Sequence, residues 1–332
     1  MIKVLLITNK ARGGIAVWAK YFMLATKKNK KIQLSKQIPH LALNNLKNYQ
    51  LVHLHEYSLK SLIILIACKI YKIPCIATLH SDCFKINSHY YWAKRNILIY
   101  LICLQLKLAD RITVPSTYLQ QILTKHSIAP RKKIQIIPNM ADKNFIQHIK
   151  AAKKPKGKIR IIQITDFKYP LKARGVYYAI RAVKQLKNKN VELVIIGGRT
   201  FLNQFKKKFS SSNILFLGLK NHNETIAFIK SADIVIHPTL LDNTPISIIE
   251  AMLAAKPIIT FDVGGIGELV NNAAIIANKS NLSKKLAQLI NNHQKQKSLA
   301  KAAKRRSEKF LASKISKKFQ LLYNSLIDDR DN

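Results

Sequence analysis

The chain has 332 residues, 48% of them hydrophobic, enough for two domains with a core each. Its 57 Lys and Arg against 16 Asp and Glu leave a formal net charge of +41. Such an imbalance calls for an anionic partner, whether a membrane surface, nucleic acid or an anionic substrate.

Residues 2–8 are strand-like, and Asn9 to Gly14 form a flexible turn before helical spacing over residues 15–25. Strand, Gly13-Gly14 turn and helix make an architecture in which backbone can approach an anion, because glycine carries no Cβ. Residues 1–8 have an apolar run too short for a signal peptide and lack a cleavage pattern. Residues 27–36 read as a basic loop or helix end. A strand over 51–55, a helix over 59–71 and a strand over 74–79 follow, the last running into His80-Ser81-Asp82. Doubly wound folds bind ligands at the carboxyl edge of the sheet, where these histidines fall. A lone histidine is ordinarily structural, and His53, His89, His126 and His148 are read that way; His55 is a candidate near an acceptor. A long helix over 91–109, a strand over 110–115, a helix capped by Ser116 or Thr117 and a strand over 134–137 complete the first half.

Four cysteines, Cys68, Cys75, Cys83 and Cys103, lie in apolar surroundings with neither a CxxC pair nor a Cys/His ligand spacing. They read as reduced core residues of a cytosolic protein. No apolar stretch reaches the ~20 residues needed to span a bilayer.

The polar run 151–158 (AAKKPKGK) breaks the composition and reads as an interdomain linker. The chain then restarts as it began: a strand over 159–164, a loop over 166–175 with Lys168, Lys172 and Arg174, and a helix over 176–186. This echo predicts two similar βαβ domains facing one another. Strands are expected at 191–196 and 214–217. The run 234–236 is a strand that ends in His237-Pro238, since proline cannot continue a central ladder. A polar loop, Leu241-Asp242-Asn243-Thr244, leads to Pro245 at the start of a helix over 246–255, with Asn243 or Thr244 as caps. Within that helix Glu250 sits among Ile248, Ile249, Met252 and Leu253. A carboxylate there either faces solvent or accepts hydrogen bonds from a ligand diol, since burying it unpaired is costly. The loop-to-helix start also suits a phosphate. A strand over 258–261 follows, and after Val270 the chain reads as helical and Lys-rich, ending in a helix over 310–327.

The run Asp242-Asn243-Thr244-Pro245, Glu250-Ala251-Met252, Lys256-Pro257-Ile258-Ile259 and Asp262-Val263-Gly264-Gly265-Ile266 resembles the donor-binding signature of retaining glycosyltransferase family 4. Asp242 and Glu250 keep the spacing of that family's two acids, with Asp in place of the more usual Glu. The resemblance implies an α/β GT-B fold of two Rossmann-like domains across a cleft. It places the acceptor-side domain at 1–154, the donor-binding domain at 155–312 and a C-terminal helix, 313–332, crossing back to the first. It implies that Glu250 holds the ribose hydroxyls, and that Asp242 with Asn243, Thr244, Pro245 and Ile246 contacts the transferred sugar and the phosphates. Gly13 and Gly14 would face the phosphates, and His80, in Thr78-Leu79-His80, would reach the sugar. Arg174 occupies the family's usual Lys position, and Lys168 or Lys172 would stand in for its Arg. The implied reaction moves a sugar from a nucleotide diphosphate-sugar, with a UDP-sugar expected, to an acceptor hydroxyl with retention, and needs no divalent metal or further cofactor. The acceptor would be a lipid-linked, lipopolysaccharide or capsule glycan, with the protein held peripherally at the anionic cytoplasmic membrane face. Charge alone raises a nucleic-acid-binding alternative, but no recognition helix or aromatic-interleaved strand supports it, and no nucleic-acid partner is expected. Gly265-Ile266-Gly267 is a partial dinucleotide motif that has Val270 where its third glycine belongs.

Overall fold

The computed structural model describes residues 1–8, 13–28, 31–37, 43–86, 92–186 and 190–331. It divides into two compact units, residues 1–142 with 311–332, and residues 143–310. The polar run 151–158 therefore lies inside the second unit. Its groups are anchored there: the Ala152 amide donates to Ala227 O, and Lys154 pairs with Asp233 at 2.7 Å.

The first unit is a six-stranded parallel sheet in the order β2-β1-β3-β4-β5-β6. Its strands are β1 (Ile2–Ile7), β2 (Ile32–Gln37), β3 (Leu51–Leu54), β4 (Cys75–Thr78), β5 (Arg111–Val114) and β6 (Ile134–Ile136). Val4 to Ile7 are wholly buried, as expected of a parallel strand covered on both faces. The basic stretch 27–36, expected as a loop or helix end, is in part strand β2. Ile32 and Leu34 register with Ile2 and Val4, and an edge position lets the polar Gln33 and Ser35 alternate with them. The helices are α1 (Gly14–Lys28), α2 (Leu59–Ile70), α3 (Trp92–Leu108) and α4 (Thr117–Lys125). Ser58 and Ser61 form a capping box at the start of α2, and Ser116, rather than Thr117, caps α4. The C-terminal helix Ala312–Asp331 belongs to this unit and packs on α1, with Phe319 5.5 Å from Trp18 and 5.2 Å from Phe22. His89 lies outside the described residues, as do residues 9–12 of the glycine turn.

The second unit repeats the plan as β12-β11-β10-β7-β8-β9, all parallel. Its strands are β7 (Ile159–Ile164), β8 (Val191–Ile196), β9 (Ile214–Gly218), β10 (Ile234–His237), β11 (Ile258–Phe261) and β12 (Ile275–Ala277). β12 interrupts the region expected to be helical; three residues on a sheet edge carry too little periodicity to stand out. The helices that matter below are α5 (Pro170–Lys184), α6 (His222–Ser231) and α7 (Ile246–Leu253). α5 begins six residues before the expected start. Pro170 sits in its first turn, where a fixed φ suits the helix, so Lys172, Arg174 and Gly175 are helical rather than loop residues. In both sheets the order reverses direction once, between β1 and β3 and between β7 and β10. Connections leaving such a pair diverge and open a crevice at the carboxyl edge. Those two points carry the residues of interest.

Candidate active site

In the second unit, β7 and β10 meet at the switch point, and their following segments supply Lys172 and Asp242. The Lys172 ammonium donates to Asp242 at 2.9 Å, and His237 Nε2 stands 3.5 Å from the same carboxylate oxygen. Burial alone would raise the Asp242 pKa, but the Lys172 ammonium and His237 hold it well below the usual carboxylate range. Burial would likewise lower Lys172, yet Asp242 outweighs it and raises the ammonium pKa.

Two glycines explain how the chain comes this close. A Cβ on Gly175 would stand 2.6 Å from Pro238 O, so only glycine lets the first turns of α5 lie against the loop after β10. Gly264, at φ +62°, would put a Cβ 2.3 Å from Asp242 O. The Asp262-Val263-Gly264 run is thus a backbone approach to the acid itself. Gly175→Ala is expected to destabilise the second unit by about 1–3 kcal/mol through overpacking, and to part Lys172 from Asp242. Urea unfolding of the variant would check this, and an unchanged midpoint would contradict it.

Glu250 lies on α7 and is 3% exposed, which removes the solvent-facing alternative. Its Oε1 meets His222 Nε2 at 2.7 Å. His222 opens α6, where Asn221 and Glu224 form a capping box, and its ring stacks on Phe145 at 5.0 Å. A buried carboxylate is thereby held by a partner from another element rather than left unpaired. Neither Asn243 nor Thr244 occupies the cap position of α7: Pro245 does, without a side-chain cap, while Asn243, Thr244 and Ile246 are buried around it. Of the three cations expected at the phosphates, Lys172 is brought to Asp242. Lys168 lies over the Tyr169 ring at 5.4 Å, and Arg174 points from α5 as an exposed side chain.

In the first unit, Gly13 and Gly14 follow β1 at the other switch point. Gly13 has φ +90°, and a Cβ at either position would meet nothing within 4 Å. Open space beside both is compatible with backbone approach by a ligand. His55 and His80 follow β3 and β4, and His55 Nδ1 is 2.7 Å from His80 Nε2. Behind them, His53 bonds Tyr323 Oη at 2.7 Å and Thr78 Oγ1 at 2.6 Å. Burial first, and then the neighbouring His80, lowers the His53 pKa to about 3. Burial with His53 and His80 takes His55 well below its ordinary value. His53 is structural as expected. His126 stacks on Phe84 at 4.0 Å, and His148 bonds Asn144 O at 2.6 Å.

Two family models match the chain, one described as Glycosyl transferases group 1 over residues 144–306, the other as Glycosyltransferase Family 4 over residues 6–145. The chain belongs to the group 1 glycosyltransferases. It is 29% identical over 163 residues to an uncharacterised glycosyltransferase of Methanocaldococcus jannaschii, a match covering 47% of this chain and 46% of that protein. It is 25% identical over 242 residues to the UDP-Gal:alpha-D-GlcNAc-diphosphoundecaprenol alpha-1,3-galactosyltransferase of Escherichia coli, covering 68% of this chain and 60% of that one. The chain thus spans about half the length of the curated relatives it matches. The crystal structure of Anabaena HepE in complex with UDP-glucose shares the fold, with a TM-score of 0.77 and 17% identity over 98% of this chain and 100% of that one. The architecture of this group 1 glycosyltransferase is GT-B.

Sequence reasoning on the glycosyltransferase missed His222, Phe145 and His237. None carries a local signal, because each acts through a partner 5 to 77 residues away that only the packed unit brings near. Among the described residues, no group of three or more His, Cys, Asp or Glu is placed to hold a metal ion, and no helix is long and apolar enough to cross a membrane.

Proposed function

We propose that this protein transfers a sugar from a nucleotide diphosphate-sugar to an acceptor hydroxyl with retention of configuration. The observation that carries the reading is Glu250, a carboxylate 3% exposed on an apolar helix at the carboxyl edge of β10. A carboxylate so placed accepts two hydroxyl donors from a ribose diol, and His222 orients it. Lys172 is the phosphate cation: an ammonium has three donors, and one of them is committed to Asp242. Lys168, Arg174 and the start of α7 add positive potential where the leaving diphosphate gathers charge, which is how such departures are stabilised without a divalent metal. Asp242 and Asn243 to Ile246 contact the sugar and phosphates. Gly13 and Gly14 offer backbone to the phosphates, and His80 orients the sugar, with His55 fixing its tautomer.

The donor is a UDP-sugar, in line with the UDP-Gal in the name of the Escherichia coli relative and the UDP-glucose bound in the Anabaena structure. The acceptor is a lipid-linked glycan of surface polysaccharide assembly, reached from the cytoplasmic membrane face. A chain of net charge +41 is drawn to the anionic lipids there.

Calorimetric screening against a panel of nucleotide diphosphate-sugars tests the reading. A UDP-sugar is expected to bind. Glu250→Ala, which deletes two charge-assisted hydrogen bonds, is expected to weaken it about 100-fold. Equal affinity in the variant would remove Glu250 from the donor site, and indifference to the whole panel would remove the donor.

A further inference from the structure

A helix packed on a sheet ordinarily turns charged side chains outward. α2 does not. Ser61, Ile64, Leu65 and Cys68 are buried, while Leu59, Ile63, Ile66 and Ile70 lie on the opposite face at i, i+4, i+7 and i+11, between 46% and 71% exposed. The stripe is about 16 Å long at 1.5 Å per residue. α3 lies alongside, joined by the Ser61 hydroxyl donating to Gln105 Oε1 at 2.7 Å, and it turns Ile97 and Tyr100 outward at 61% and 67%. Scattered exposed apolar residues need no explanation, but two neighbouring helix faces of them mark an interaction surface.

The C-terminal ends of the same two helices line a cavity of about 600 Å³. Lys69, Lys107, Arg111, Lys132 and Lys133 surround it, with Asp110 as its one carboxylate. That carboxylate is already committed, to Lys69 and to the Cys75 amide. Five cations against one committed carboxylate leave the cavity with excess positive charge, and burial with the like charges of Lys69 and Arg111 lowers the Lys133 pKa. The cavity adjoins the first residues of β4, β5 and β6, whereas His55 and His80 follow the last residues of β3 and β4. It is a separate site at the opposite edge of the sheet.

We propose that the outward faces of α2 and α3, with the cationic cavity at their ends, dock this protein on an anionic phospholipid bilayer. The isoleucines and Tyr100 enter the boundary between headgroups and acyl chains, and a lipid phosphate enters the cavity. Charge complementarity selects this occupant: a second copy of so basic a chain would bring five more cations to the same place. The inference deepens the membrane reading above and rests on it only for the identity of the acceptor.

Cosedimentation with vesicles tests it. The protein is expected to bind vesicles of 30% phosphatidylglycerol in phosphatidylcholine, and to bind pure phosphatidylcholine far less. Each lysine near an anionic surface contributes a factor of about 5, so Lys107→Ala/Lys132→Ala should weaken phosphatidylglycerol binding about 25-fold. Ile63→Ser/Ile66→Ser should remove the fraction that resists 0.5 M salt. Thermal unfolding of both variants should match the parent, since every altered side chain is exposed. Equal binding to the two vesicle types, unchanged binding by the variants, or self-association abolished by Ile63→Ser/Ile66→Ser would each overturn the proposal. Calorimetry with the UDP-sugar on the same variants separates the two readings. Donor binding without vesicle binding defeats the docking surface alone, and vesicle binding without donor binding defeats the transferase alone.

Discussion

Asp242→Ala is expected to lower the stability of the second unit and abolish donor binding together. The pair it breaks is largely removed from water, Lys172 being 20% and Asp242 17% exposed. Taking away one partner leaves the other charge desolvated, an effect of about 2–3 kcal/mol, on the low side of the range for fully buried pairs. Urea unfolding followed by far-UV circular dichroism should show the midpoint fall. The double variant Lys172→Met/Asp242→Leu separates structure from function. Apolar side chains of similar volume frequently replace a buried pair at little cost, so at least half of the lost stability should return. Donor binding should not return, because Lys172, the ammonium that meets the diphosphate, is then gone. A double variant that binds donor normally would show that the pair is structural only.

The pH dependence of this pair has a definite sign. The folded Asp242 pKa is depressed, so its contribution is present above the unfolded carboxylate value near ~4 and is lost only as pH falls below that. The folded Lys172 pKa is raised, so its contribution is present below ~10.4 and lost only above it. Between pH 5 and 9 the pair therefore adds a constant stability.

Acidification from pH 7 to pH 5 is expected to destabilise the first unit, by contrast. His53 titrates near 3 in the fold and near ~6.5 when unfolded, so in this window the unfolded chain takes up a proton that the folded one refuses. At pH 5 the difference is about 1.5 pH units, or about 2 kcal/mol from His53. His55 is displaced the same way and adds to it. The physical origin is burial: His53 is enclosed by the rings of Trp18, Phe319, Tyr323 and His55, where a charge has no water. Both tryptophans, Trp18 and Trp92, belong to this unit, so fluorescence-detected urea unfolding reports it selectively. The midpoint should fall as pH drops from 7 to 5, and His53→Gln, which keeps hydrogen-bonding groups without titrating, should flatten that slope. A parent midpoint independent of pH in this window would mean that His53 is protonated in the fold.

The amino-acid sequence alone determined the repeating strand-helix plan, because apolar runs of four to six residues bounded by polar turns admit buried parallel strands and little else. It also determined the Asp242–Glu250 spacing, which lies within one loop and one helix and is set by the chain itself. It did not contain the order of the strands, which puts β7 against β10 rather than β9 and so creates the switch point where Lys172 finds Asp242 across 70 residues. The start of α5 was misread because Gly175 looks like a turn residue from the sequence. In the packed unit it is a helical position left bare so that Pro238 O can pass. Edge strands β2 and β12 escaped notice because lysines and short length hide their alternation. The histidine that holds Glu250 and the one that meets His80 are 28 and 25 residues from their partners. Side chains that far apart have no local pattern to read, since what joins them is the stacking of successive βα units on a sheet. Tertiary structure decided these pairings because desolvated charges and ring nitrogens accept only the partners that packing brings within hydrogen-bonding distance.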